Sequence, residues 1–489
     1  MVQKKPNIII FNPDQFRADA LGHLGNPAAY TPNLDQMIQE DAVSYANAFC
    51  QNPVCTPSRC SFMSGWYPHV RGHRTMYHMM QKEEPVLLRR LKEAGYFVWW
   101  GGKNDLIPGQ NSFEPYCDIK YQPENTRPGL HGDQSWRPEQ GSEDYYSFYA
   151  GKLDPKDEDI YYDGDWANVE GAVDFIKKSS TDQKPFCVYL PLLYPHPPYG
   201  VEEPWYSRID RNEVPPRIPA PENWQDKPSI LRGIYERQNL QHRGEDDWRE
   251  LRAVYLGMCS RIDHQLGLLI DVLKKQGLYD STALFFFSDH GDFTGDYGLV
   301  EKTQNTFEDC LVNVPLIIKP PADQDTVPGI RKQLVELIDF PATVEELVGL
   351  KRDYTHFGRS LLPTIAADSL EHRDAVFAEG GRLQNEEHCM EKESSSHQVP
   401  EGLYWPRVDL QKQIPEHTKA VMCRTQQYKY VRRLYEQDEL YDLKEDPFEL
   451  NNRIEDPELE AVLNKLRDRL LTYYLKTGDV VPHETDKRE

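Results

Sequence analysis

The sequence predicts an α/β protein, a large, mostly parallel sheet sandwiched by helices, followed by a smaller α+β unit with a short antiparallel sheet. Three observations carry that prediction. Short apolar runs that rarely alternate with polar residues recur between helical patterns over the first two-thirds of the chain, as strands buried on both faces require. Polar and charged residues follow several of those runs directly, where a parallel sheet gathers ligands. After roughly residue 365 the character changes, which divides the chain into a 1–365 unit and a 366–489 unit.

The first strand spans 7–12, from Asn7 through Ile8, Ile9, Ile10 and Phe11 to Asn12. This run is too short for a signal-peptide core, and the expected location is therefore cytoplasmic. Thr31 and Pro32 offer an N-cap and a first-turn proline for the first helix. Further strands are expected at 96–101, 186–193, 283–288 and 314–318. The clearest helix covers 248–276: Leu251, Val254, Met258, Ile262, Leu266, Leu269 and Leu273 recur at three-four spacing and Gly277 ends it. Two stretches read as loops that could border a cleft: the proline-rich 200–228, with Trp205, Tyr206 and Trp224, and the polar 384–402, with Ser394 to Ser396. Short strands at 428–431 and 439–443 and an amphipathic helix at 456–475 build the C-terminal unit.

Composition narrows the function. A net charge of −23 argues against a nucleic-acid surface, which needs clustered cations. No apolar run reaches membrane length. The 9 cysteines are too few and odd in number for a disulfide scaffold. Cys50, Cys55 and Cys60 are evenly spaced, yet no CxxC pair or suitably spaced histidine supports a zinc site, so the cysteines read as reduced core residues.

Chemistry gathers after the strands: Asp14 and Gln15, Lys103 and Asp105, His196, then Asp289 and His290. Each alone has an ordinary reading as a cap, a turn or a satisfied histidine. Together, two acids, an amide and an imidazole can hold a hard divalent cation, while a lysine and a second histidine suit an oxyanion. The segment Cys55-Thr56-Pro57-Ser58-Arg59-Cys60-Ser61-Phe62-Met63-Ser64-Gly65 adds a cysteine at a helix start and an arginine one turn later. On that chemistry Cys55 could be a plain low-pKa thiol nucleophile.

That segment resembles the signature of the type I, formylglycine-dependent sulfatases of the alkaline phosphatase superfamily, C-x-P-S-R-x-x-x-[Leu/Met]-[Ser/Thr]-Gly, at every position. The resemblance extends through Asn7 to Gln15, Thr31 to Asp35, Gly102-Lys103, Ser288 to Gly291, Gly295 through Lys302, and Glu439 to Asp446. It implies a sulfuric ester hydrolase in which a transiently bound maturation enzyme oxidises Cys55 to formylglycine. Asp14, Gln15, Asp289, His290 and the modified Cys55 would hold Ca²⁺, with Mg²⁺ or Mn²⁺ as alternatives. Arg59, Lys103, His196 and Lys302 would surround the sulfate, with His196 protonating the leaving oxygen. The family often reads Gly-Lys-x-His where this chain has Gly102-Lys103-Asn104-Asp105. Asp105 is therefore expected to take over proton work, or another histidine, His73 or His78, to move in.

The expected substrate is a sulfated sugar, such as a glycosaminoglycan oligosaccharide. The basic, aromatic segment from Trp66 to His78 follows the nucleophile, with His73, Arg74 and His78 as candidate sugar contacts and the loop at 200–228 as a second wall. The alternatives are a phosphonate monoester or phosphodiester hydrolase, a small alkyl or aryl sulfatase of choline-sulfatase type, and a glycan-binding protein with unmodified Cys55. Neither nucleic acid nor membrane is an expected partner.

Overall fold

In the computed structural model, which describes residues 5–124, 126–156, 160–180, 184–368, 370–391, 399–413 and 415–488, eight strands form one mixed sheet. They are β1 (Asn7–Asp14), β2 (Val43–Phe49), β3 (Phe97–Gly101), β4 (Ile119–Tyr121), β6 (Phe186–Pro195), β8 (Thr282–Phe287), β9 (Leu316–Lys319) and β10 (Gly329–Glu336). The spatial order is β10-β2-β9-β8-β1-β6-β3-β4. All neighbours are parallel except β9, which runs antiparallel to both β2 and β8. A separate parallel pair joins β5 (Tyr149–Lys152) to β7 (Tyr199–Val201).

The central strands are apolar on both faces because both are covered. Ile8 and Ile10 of β1 join one core with Phe285, Phe287 and Phe340, whereas Ile9 and Phe11 join a second core with Phe286 and the long helix. That helix, Glu245–Lys275, buries Leu251, Val254, Met258, Ile262, Leu266, Leu269 and Leu273 along one stripe. The five strands expected from apolar runs all lie in this sheet. β2 and β10 escaped the sequence reading because Val-Ser-Tyr-Ala-Asn-Ala-Phe and Gly-Ile-Arg-Lys-Gln-Leu-Val-Glu mix polar residues into their runs.

Four antiparallel strands form the C-terminal sheet: β11 (Val376–Gly380), β12 (Ala420–Arg424), β13 (Tyr428–Arg433) and β14 (Glu439–Asp442). Their alternation assigns the two faces. Ala420, Met422 and Val431 enter the core shared with the large sheet. Val421, Cys423 and Tyr430 face the helix Glu460–Thr477 through Leu463, Leu466 and Leu470.

One loop expectation needs correction. The stretch 200–228 holds a short helix, Trp205–Arg208, and its tryptophans serve packing rather than a cleft wall. Trp205 is buried against Trp166 and His264, and Trp224 packs on Tyr235. In the polar stretch 384–402, residues 392–398, including Ser394 to Ser396, lie outside the described residues. All 9 cysteines are free, and Cys50 and Cys60 sit in the apolar core.

Candidate active site

Because β1, β3, β6 and β8 run parallel, their carboxyl ends share one edge, and the chemistry-bearing residues collect there. Asp14 ends β1, and Gln15 turns sharply at φ 69°, an uncommon conformation for a side-chain-bearing residue. Its backbone is held on both sides: Gln15 N donates to Asp289 Oδ1 at 3.1 Å, and Gln15 O accepts from Tyr255 at 2.8 Å. After β3, Gly102 adopts φ +107°, and a Cβ there would meet Pro191 O at 2.3 Å. Only glycine fits this approach of the loop to β6, and Lys103 N then donates to the same carbonyl at 2.8 Å.

Cys55 opens the buried helix Cys55–Ser64, directly after the extended Val54. Its Sγ lies 3.2 Å from His290 Nε2, 3.4 Å from Lys103 Nζ and 3.6 Å from Asp14 Oδ1. Burial, reinforced by Asp14, pushes the thiol up to about 12 despite Lys103 and Lys302.

Arg59 stands one turn further along, fully buried, and its fork is shared beneath the cysteine. Nε donates to Asp289 Oδ2 at 2.9 Å, NH1 to Asn12 Oδ1 at 2.9 Å, and NH2 to Asp14 Oδ2 at 2.8 Å. Burial opposes its charge, but Asp289, Tyr189 and Asp14 hold it firmly protonated. This guanidinium spans two carboxylates and orients them.

Asp14, Cys55, Asp289 and His290 place one ligand atom each within 4.8 Å of one another, the group of that kind found among the described residues. His290 Nδ1 faces Gly291 O at 2.9 Å, and burial lowers its pKa, so the neutral ring turns the Nε2 lone pair inward. That lone pair lies 3.7 Å from Asp14 Oδ1 and 3.9 Å from Asp289 Oδ1. Three acceptors converging in a buried space fit a cation. Gln15 lies beside this group: Oε1 accepts from Lys302 at 2.8 Å and Nε2 donates to Asp292 Oδ2 at 2.5 Å. The carbonyl oxygen keeps a second lone pair.

Lys103 Nζ pairs with Asp14 at 2.7 Å and with Asp105 at 2.9 Å. Asp105 lies 3.9 Å from Arg59, so its carboxylate braces the two cations. On the other side Lys302 Nζ contacts His196 Nε2 at 2.8 Å and Glu301 at 2.9 Å. His196 Nδ1 faces Pro197 O at 2.6 Å. Burial and then Lys302 lower the His196 pKa well below the usual imidazole range. The ring is neutral, its Nε2 accepts, and the proton of the pair rests on Lys302.

Sequence reasoning missed His131. Its ring centroid is 5.1 Å from that of His196, and its Nε2 is 2.5 Å from the hydroxyl of Tyr404, which belongs to the C-terminal part of the chain. Burial, with Lys103 and Lys302, lowers it to about 4. No motif marks His131, because its loop has no regular pattern. Beside Lys103 and His196 opens a cavity of about 670 Å³, walled by Phe113, Tyr121, Leu130, His131 and Tyr161.

The three candidate sugar contacts are engaged elsewhere. His73 pairs with Glu84 at 3.0 Å and faces His78 O. Arg74 pairs with Glu386 at 2.6 Å and donates to Gly381 O. His78 contacts Thr75 at 2.5 Å and packs near His388. None of the three lines the cavity. Trp66 and Tyr67 are buried, because packing on Tyr354, Phe357 and Tyr473 outcompetes exposure.

Known proteins match this chain along most of its length. The sulfatase family model matches residues 6–350, and the model for the C-terminal region of N-sulphoglucosamine sulphohydrolase matches residues 403–476. The chain is 26% identical over 479 residues to an ulvan-active sulfatase of Formosa agariphila, covering 97% of this chain and 82% of the relative. It is 27% identical over 516 residues to a choline-sulfatase of Rhizobium meliloti, covering 100% and 91%. A phosphonate monoester hydrolase of Agrobacterium radiobacter shares the fold at TM-score 0.74 and 21% identity, covering 98% of this chain and 100% of that one.

The Arg59 bridge generates a prediction that does not depend on turnover. Arg59→Met leaves Asp14 and Asp289 buried without their shared counter-ion, and metal-free protein is expected to lose about 3–5 kcal/mol of stability. Added divalent cation should restore part of this loss, because it too neutralises both carboxylates. Denaturant unfolding with and without metal measures both effects; a loss that metal leaves untouched would detach Arg59 from the cation site.

Proposed function

The chain belongs to the sulfatase family, and on that premise we propose that it removes sulfate from a sulfated sugar, using Cys55 matured to formylglycine and one divalent cation. The cavity carries the sugar reading. About 670 Å³ of largely apolar, aromatic-lined space adjoins Lys103 and His196, more than a sulfate alone requires and suited to planar sugar faces. The ulvan-active relative supports it. A glycosaminoglycan oligosaccharide is our choice among sulfated sugars.

Asp14, Asp289, His290 and the matured Cys55 would hold the cation, with Gln15 Oε1 at their side; we assign Ca²⁺, with Mg²⁺ and Mn²⁺ as alternatives. Such an ion supplies Lewis-acid stabilisation of charge on sulfate oxygens. Formylglycine supplies a hydrated aldehyde whose hydroxyl is the nucleophile. The remaining work falls to ordinary side chains. Arg59 fixes Asp14 and Asp289 from below, and Asp105 fixes Lys103. Lys103 and Lys302 present ammonium groups to the sulfate from opposite sides. The leaving oxygen takes its proton from the Lys302–His196 pair, Lys302 Nζ being the resting donor and His196 Nε2 its acceptor. His131 stands beside His196 and adds a second imidazole to the cavity wall.

Three outcomes test this. Mass spectrometry of the Cys55 peptide from protein made beside a maturation enzyme should find formylglycine, and Cys55→Ala should abolish turnover; undiminished activity in Cys55→Ala would sink the nucleophile assignment.

Lys302→Met should slow poor leaving groups, such as sugars, far more than 4-nitrophenol, and His196→Gln should show the same trend less steeply. We expect about 10²–10⁴-fold for the poor leaving group in Lys302→Met. Equal losses on both ester types would move the acid elsewhere.

Substrate choice is read from kcat/KM across sulfated disaccharides, 4-nitrophenyl sulfate, choline sulfate and a phosphonate monoester. A sulfated disaccharide should rank first. If a small ester ranks first, the sugar reading fails, and if the phosphonate does, the hydrolase is of the other class.

A further inference from the structure

We propose that Lys120 forms a second anion subsite in the cavity, one that takes a carboxylate or a further sulfate on the sugar beyond the ester being cleaved. This rests on the sugar reading above and names the chemistry of the group that the cavity selects.

Lys120 is the middle residue of β4, the edge strand that pairs with β3 in register Trp100↔Lys120. Lysine on a sheet edge commonly points to water and deters association with other strands. This one does not: its side chain folds over Trp100, with Nζ 4.9 Å from the ring centroid, and over Phe113 at 5.8 Å. It is half-buried and lines the same cavity as Lys103 and His196.

Its partners are few. Nζ donates to Gly102 O at 2.9 Å, and among the described residues no carboxylate lies within ion-pair distance. An ammonium carries three donors, so two remain for a ligand. The other site lysines differ in this respect: Lys103 has Asp14 and Asp105, and Lys302 has Glu301. Nor can the acids in the cavity wall serve Lys120. Asp163 pairs with Arg261 at 2.8 Å and caps the Gly164–Lys177 helix, while Asp165 accepts from Leu193 N and Tyr194 N.

Burial brings Lys120 down to about 8, so it is still mostly cationic at neutral pH, although poorly solvated. An ammonium held over aromatic rings without a counter-ion gains more from an anion than a hydrated surface lysine does. The hydrogen bond to Gly102 ties this group to the glycine that sets the Lys103 loop. A sugar spanning the cavity would therefore meet one cation at the reacting sulfate and another further along the wall.

The test measures inhibition constants against 4-nitrophenyl sulfate hydrolysis for two matched pairs. The first is a sulfated glucuronate disaccharide and its carboxyl-reduced counterpart; the second is a disulfated and a monosulfated disaccharide that share the cleavable ester. In at least one pair the more anionic member should bind about tenfold tighter to the wild type. Lys120→Met should bring that ratio near one, and Lys120→Arg should keep most of it. The pair that shows the Lys120-dependent ratio identifies the anion.

Each ratio is taken within one protein, so a general loss of folded enzyme cancels. Ratios below about twofold in both pairs for the wild type, or a ratio that survives Lys120→Met, would overturn the subsite. Failure of the sugar reading is seen separately, as a small ester ranking first in kcat/KM, because inhibition ratios do not require the disaccharides to be turned over.

Discussion

One guanidinium shared by two carboxylates where water cannot reach sets the terms for the whole edge of the sheet. Arg59, Asp14 and Asp289 are each fully buried, so none can be left without a partner. Their mutual contacts require the Cys55–Ser64 helix to sit against the ends of β1 and β8, with Ser58 donating to Asp289 O at 2.6 Å. Once that packing is set, Cys55 has one place to go. It lies at the helix start, between His290, Lys103 and Asp14, with the carboxylates already aimed. The charge cluster therefore orients Cys55 and aims the carboxylates of the candidate cation site at the same time.

The C-terminal unit is part of this arrangement. Its helix Trp405–Leu410 sends Arg407 to Glu301 at 2.7 and 2.8 Å, and Glu301 in turn holds Lys302. Tyr404, the residue just before that helix, meets His131 beside His196. One face of the antiparallel sheet shares the core of the large sheet, so these contacts are rigidly supported. The polarity of the Lys302–His196 pair, with the proton on the amine, follows from the burial of His196 and from a lysine that keeps Glu301 as its counter-ion.

Much of the site was legible because its residues sit next to strongly patterned segments. Asp14, Gln15, Lys103, Asp289 and His290 each follow an apolar run, and parallel strands bring such positions to one edge whatever the loops do. The five apolar strands and the long helix were legible for the same reason, since burial on two faces or one stripe leaves a periodic trace. β2 and β10 carry polar residues that tertiary neighbours satisfy: Asn47 donates to Lys332 O, and Arg331 to Thr364 O. That compensation is invisible in a local window.

What the sequence alone determined was the family and the fold class, because both are written in residue type and short-range period. What only the tertiary structure decided was which partner each group takes. Arg59 is shared between Asp14 and Asp289, which lie 45 and 230 residues away along the chain. Trp66, Tyr67, His73 and Arg74 read as a sugar platform but were drawn to the core and to Glu84 and Glu386. His131 and Lys120 carried no pattern and yet line the cavity. The reason is competition: a charged or aromatic side chain takes the strongest partner within reach, and reach is set by the fold, often between segments far apart in the chain, which no local pattern records.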